Sequence, residues 1–111
     1  MKEFGLSKES LLRKPRDFSR VYEKGKRLRG KGFSLVFLAN DLTGSRLGIS
    51  VHRLVRGAVR RNRIKRIVRE SFRLHRDLFP PHSDIVFTVA PGFDLAGTES
   101  VSRAVAALTG K

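Results

Sequence analysis

Cysteine is absent from this 111-residue chain, which excludes disulfides, thiolate zinc sites and cysteine nucleophiles. That absence fits a reducing compartment, and a cytoplasmic location is expected. No run approaches the ~18 to 20 apolar residues that cross a bilayer. The opening stretch MKEFGLSKESLLRKPRDF also lacks the apolar segment of a signal peptide. A soluble protein with no membrane partner is therefore expected. Histidine is sparse, and His52, His75 and His82 have no metal-like spacing and no accompanying acidic cluster. A protein-borne nuclease needs paired carboxylates for metal ions or a histidine acid–base pair. No catalytic residue and no tightly held metal are expected in the chain itself.

Carboxylates are the other shortage, with 10 Asp and Glu against 24 Lys and Arg and a net charge of +14. The excess is localised. Residues 1–32 carry 11 basic and 4 acidic groups, and residues 53–76 carry 10 basic groups and Glu70. Residues 33–52 are balanced, and residues 77–111 hold 2 basic and 4 acidic groups. Such asymmetry attracts polyanions, and release of counterions makes nucleic acid the leading partner class. An anionic membrane surface is the weaker alternative. The length suits a single domain over residues 1–111. At that size folding buries about two-thirds of the unfolded surface, so no covalent staple is required.

KPRDFSRVYEKGKR has the signs of a short helix. Pro15 suits its first turn, Gly25 suits a left-handed terminating position, and Phe18, Val21 and Tyr22 share a face. A short strand is expected within the basic GKRLRGKG that follows. Gly32 to Ala39 and Ser45 to His52 read as strands joined by the turn NDLTGS, and together as an antiparallel hairpin. After Pro80 and Pro81, Asp84 to Ala90 is a further strand. Thr98 could cap a last helix with Val101, Ala104, Val105 and Leu108 on its inner face. The order of helix, two or three strands, helix, strand and helix indicates an α+β or α/β sandwich with helices on a small sheet.

Between these elements lies RRNRIKRIVRESFR, Arg60 to Arg73, with seven Arg or Lys in fourteen positions. At 100° per residue Ile64, Ile67, Val68, Ser71, Phe72 and Leu74 form an apolar arc about 160° wide, the pattern of a helix laid on a core. Beside it, Lys65, Arg69, Asn62, Arg73 and Arg66 form one polar, mostly cationic stripe. Solvated helix faces usually mix signs. Here Arg61–Lys65, Lys65–Arg69 and Arg69–Arg73 are like-charge i, i+4 pairs, each costing about 0.2–0.5 kcal/mol unless an anion neutralises it. This favours nucleic acid over a merely solvated face. Charge alone does not separate DNA from RNA, but no helix-turn-helix or zipper is visible, which leans towards RNA.

The stretch GISVHRLVRGAVRRNRIKRIVRESFR resembles the signature of the protein subunit of bacterial ribonuclease P, in which a GISV-like strand leads through a basic loop into AVxRNRxKRxxRE. Gly48 to Val51, Ala58-Val59, Arg61-Asn62-Arg63, Lys65-Arg66 and Arg69-Glu70 carry the match. RDFSRVYEKGKR and DIVFTVAP resemble the family's first helix and last strand, and the likeness weakens after Pro91. It implies a two-layer α/β sandwich of order α-β-β-β-α-β-α with a left-handed βαβ crossover, as in a ribosomal protein domain.

It further implies a division of labour, with the RNA partner cleaving the 5′ leader from precursor tRNA and the protein binding that leader and lowering the magnesium requirement. By the match, Arg61, Asn62, Arg63, Lys65, Arg66, Arg69 and Arg73 dock on the catalytic RNA. Phe18, Tyr22, Arg46, Arg53 and Val36 fall at the leader cleft. Base stacking on aromatic rings suits a leader of variable sequence. Mg2+ is expected mainly on the RNA, with one protein per RNA. The chain departs from the pattern at the loop His52 to Val59, where the glycine is displaced by one position and only Arg53 keeps the usual charge. Val36 stands where an aromatic residue is common, and Leu11 where a basic one is. From the residues alone, Phe18 and Tyr22 also suit a core, Asn62 a backbone contact, Arg63 a neighbouring loop, and Glu70 an ion pair with Arg66 or Arg73. A structural RNA-binding protein, such as a ribosome-associated factor, is the competing reading.

Overall fold

The structure is a computed structural model that describes residues 10–111. The signal-peptide expectation concerns the extreme N-terminus and falls largely on residues 1–9, outside the described residues. Helix α1 (Pro15–Lys24) is followed by β1 (Lys26–Arg29), β2 (Phe33–Ala39) and β3 (Arg46–Val51), then by α2 (Ala58–Leu74). A single 3-10 turn (Arg76–Leu78) leads to β4 (Ser83–Val89) and α3 (Thr98–Thr109). The element order is the one expected. Among the described residues no helix is long and apolar enough to cross a membrane.

The strands form one sheet of order β1-β2-β4-β3. Strands β1 and β2 pair antiparallel, as do β2 and β4, whereas β3 runs parallel to β4. The expected hairpin between β2 and β3 is therefore corrected, because β4 lies between them. Six of the seven residues of β4 are buried, and so apolar a strand belongs at the centre of a sheet, bonded on both edges. The connection from β2 to β3 steps across its start. Asn40 N–H donates to the His82 carbonyl at 2.8 Å, and Ser45 Oγ accepts the Ser83 N–H at 3.1 Å. The β3-α2-β4 segment is the crossover unit.

One face of the sheet is covered by α2 and α3 over the main core, which includes Phe33, Leu35, Leu47, Ile85, Phe87, Val68, Phe72, Val101 and Val105. The inner face of α3 is as expected, but Thr98 is the first helical residue and Gly97 precedes the helix as its cap position. On α2, Ile64, Val68, Ser71 and Phe72 are buried, while Leu74 at the edge of the apolar arc is exposed. Pro15 occupies the first turn of α1. That helix lies on the opposite face of the sheet, sealing a smaller core of Leu12, Val21, Val36 and Val86. Gly25 is corrected too. Its backbone is extended (φ −82°, ψ 170°), and a Cβ there would sit 2.6 Å from the carbonyl oxygens of both Val21 and Phe37. Space, not handedness, selects glycine at that position.

Candidate nucleic-acid interface

Helix α1 covers only part of its face of the sheet. Its Phe18 ring lies directly over Gly48 of β3, where a Cβ would come within 2.5 Å of the ring. Tyr22, one turn later, is 39% exposed, with the guanidinium carbon of Arg27 from β1 at 6.0 Å from its ring centroid. Two hollows border β3 beside these rings. One, of about 530 Å³, is lined by Arg13, Phe18, Gly48, Ile49, Lys65 and Arg69 among others. The other, of about 280 Å³, includes Tyr22, Arg27, Ser50, His52 and Thr88 in its lining. The first brings an aromatic residue of α1 together with two cations of the α2 stripe.

The stripe divides by partner. Arg66 and Arg69 are exposed and Lys65 half-buried, and among the described residues none of the three is in an ion pair. Asn62 is also exposed. Arg73 donates to both oxygens of Glu70 at 2.8 and 2.6 Å, and this hydrogen bond holds the Glu70 carboxyl below its usual range. Of the two partners open to Glu70, Arg73 is the one engaged. Arg63 reaches the Ala96 carbonyl at 3.0 Å, the loop contact considered for it, and Arg60 reaches the Phe93 carbonyl at 3.3 Å. Arg61 turns back onto its own chain, with its two terminal nitrogens donating to the carbonyls of Val51, His52 and Val55.

Among the residues expected at the cleft, Arg53 is exposed on the loop after β3, whereas Val36 and Arg46 are differently placed. Val36 is 1% exposed in the core beneath α1, so its side chain offers no cleft surface. Arg46 donates to Asp84 through Nε at 2.8 Å and Nη2 at 2.7 Å. Asp84 also accepts from Arg20 at 3.1 Å and Asn40 at 3.0 Å. Burial pushes the Asp84 carboxyl up. Hydrogen bonds from Arg46 and Asn40, with the charges of Arg46 and Arg20, outweigh that and hold it below the ordinary carboxylate range. The Arg46 guanidinium is correspondingly held above its ordinary value, chiefly by its hydrogen bond to Asp84. Its Nε and Nη2 donors thus serve to tie β3 to β4.

Sequence reasoning passed over Arg13, Arg27 and Asp84, and weighed His52 only as a metal ligand or acid–base group. Asp84 carried a signal, since a carboxylate opening an otherwise apolar strand must find donors if it is buried. Arg27 could have been placed by strand alternation once β1 was located. The His52 ring accepts the Leu54 N–H at Nδ1, 3.1 Å away, which leaves the neutral ring's proton on Nε2. Among the described residues no three His, Asp or Glu side chains converge as metal ligands.

A sequence model of the family described as Ribonuclease P matches residues 6–111. A ribonuclease P protein component from Desulfotalea psychrophila is 53% identical over 110 residues, covering 99% of this chain and 92% of its own. The one from Staphylococcus carnosus is 36% identical over 95 residues, or 85% and 83% of the two chains. The solved RNase P protein of Thermotoga maritima superposes with a TM-score of 0.78 at 35% identity, over 89% of this chain and 94% of that one. That of Staphylococcus aureus gives 0.78 at 29% identity, over 89% and 91%.

Proposed function

Because the chain belongs to the bacterial ribonuclease P protein family, and so to a tRNA-processing endoribonuclease ribonucleoprotein, we propose that it docks and aligns while its RNA partner cuts. The exposed cations of α2, Arg66 foremost, meet phosphates of the catalytic RNA. The trough along β3 takes the single-stranded 5′ leader of precursor tRNA, with Phe18 and Tyr22 as stacking surfaces. Lys65, Arg69, Arg13 and Arg27 neutralise its backbone. The observation carrying this reading is the convergence in one groove of Phe18 with Lys65 and Arg69, neither of which is in an ion pair among the described residues. An aromatic platform beside cations binds single strands with little dependence on base identity.

The reading places Mg2+ on the RNA, with one protein per RNA in the bacterial cytoplasm. Reconstitution tests it. The purified protein, mixed with its cognate ribonuclease P RNA and precursor tRNA at low magnesium, should stimulate leader removal. Failure to stimulate refutes the assignment and favours a structural RNA-binding role. Robust cleavage by RNA-free protein, abolished by changing His75 or His82, refutes catalysis by the RNA.

A further inference from the structure

Arg61 lies in the motif through which α2 resembles an RNA-docking helix, yet its guanidinium is occupied within the chain. Nη2 donates to the Val51 carbonyl at 3.1 Å, and Nη1 donates to the carbonyls of His52 and Val55, both at 3.0 Å. Those three oxygens mark the last residue of β3 and the turn that follows it. The turn is otherwise held by the Val55 N–H on the His52 carbonyl at 2.9 Å, the Leu54 N–H on His52 Nδ1, and the burial of Val55 in the main core. It ends at Gly57, whose φ of +90° is unfavourable for other residues and marks the entry to α2. Between these anchors Arg53, Leu54 and Arg56 are exposed.

Val51 is the end of edge strand β3, so among the described residues its outward carbonyl has no neighbouring strand to bond. A guanidinium is suited to this place because its planar fork can serve several acceptors at once, which a single ammonium on a flexible stem does less well. We propose that Arg61 is a positioning residue that clamps the loop between β3 and α2, holding His52, Arg53 and Arg56 in place, and makes no phosphate contact of its own. The inference rests on the reading of α2 as an RNA-docking helix, but it assigns this arginine a different task from that of Arg66.

The test combines amide hydrogen exchange of the free protein with the salt dependence of its binding to a cognate ribonuclease P RNA transcript. Arg61→Ala, Arg61→Lys and Arg66→Ala are compared. In the free protein, both Arg61 variants should speed exchange of the Leu54 and Val55 amides by about tenfold or more. Core amides of β4 should stay protected, which separates local release from global unfolding, and Arg66→Ala should change neither. On RNA, Arg66→Ala should lower the slope of log affinity against log salt by about 0.7 to 0.9, the value of one phosphate contact. Both Arg61 variants should keep the full slope even where affinity falls. Unchanged loop exchange in Arg61→Ala overturns the clamp, and a slope loss equal to that of Arg66→Ala overturns the claim of no phosphate contact. Restoration of wild-type exchange by Arg61→Lys also overturns it, because charge alone would then suffice. If Arg66→Ala alters neither affinity nor slope, the docking reading fails instead, and the exchange result still decides the clamp.

Discussion

Replacing Asp84 with asparagine removes a charge and turns one acceptor into a donor at the centre of a donor cluster. Asp84 is 1% exposed and receives Arg46 bidentately, with Arg20 and Asn40 completing its shell. Breaking a buried pair on one side costs about 3–5 kcal/mol, but the side chain of Arg46 keeps 24% of its surface in water, which argues for the lower end. The Arg20 side chain is 48% exposed, and its ion pair adds at most about 1 kcal/mol. A loss of about 3 kcal/mol is expected at neutral pH, a large part of the roughly 5–15 kcal/mol typical of a domain. In thermal unfolding that is a fall in Tm of about 10–20 °C.

The pH dependence supplies a second check. The Asp84 carboxyl is held below its ordinary range in the folded protein, so its stabilisation is complete above the unfolded pKa and is lost as pH falls through the folded one. The gap in unfolding free energy between wild type and Asp84→Asn should therefore be constant near neutrality and shrink below about pH 4. Urea titrations at several pH values measure it. A neutral-pH difference under about 0.5 kcal/mol, or a gap that widens on acidification, refutes the reasoning.

Tyr22→Ala should weaken binding of leader-bearing precursor tRNA by about 1–3 kcal/mol while sparing leaderless tRNA and the thermal midpoint, as its exposed ring contributes little to the core; equal losses on both substrates would count against a stacking role. Arg66→Ala should reduce the salt slope of RNA binding by about one phosphate contact in titrations between low and moderate salt. Gly25→Ala and Gly25→Asn should each cost about 1–3 kcal/mol in chemical denaturation, because either Cβ meets backbone carbonyls rather than a yielding side chain. If asparagine were well tolerated there, the crowding explanation would fail.

Local patterns made much of this protein legible. The i, i+3, i+4 recurrence of Ile64, Val68 and Phe72 specifies which side of α2 is buried wherever the helix packs, and the cations follow on the other side by the same geometry. Strand and helix order, and the family motif spanning Gly48 to Glu70, are likewise properties of contiguous residues. Pairing between distant strands is not. Nothing near β2 or β3 announces that β4, more than thirty residues further on, separates them, because that placement depends on how much apolar surface each strand must cover.

The fates of individual arginines followed from that topology. Arg46 and Asp84 are register partners on neighbouring parallel strands, so a residue that read as a leader contact became half of a buried ion pair. Arg61, matched by its motif to an RNA contact, meets the end of β3 and its loop only because the fold brings them within reach of its fork. Val36 lies beneath α1 because its strand face is the one that helix covers. By itself the sequence determined that a basic amphipathic helix would stand on a small sheet, with a charge suited to a polyanionic partner. Only the tertiary structure decided which cations, among the described residues, remain unpaired for that partner, because hydrogen bonds between residues far apart in the chain depend on strand register.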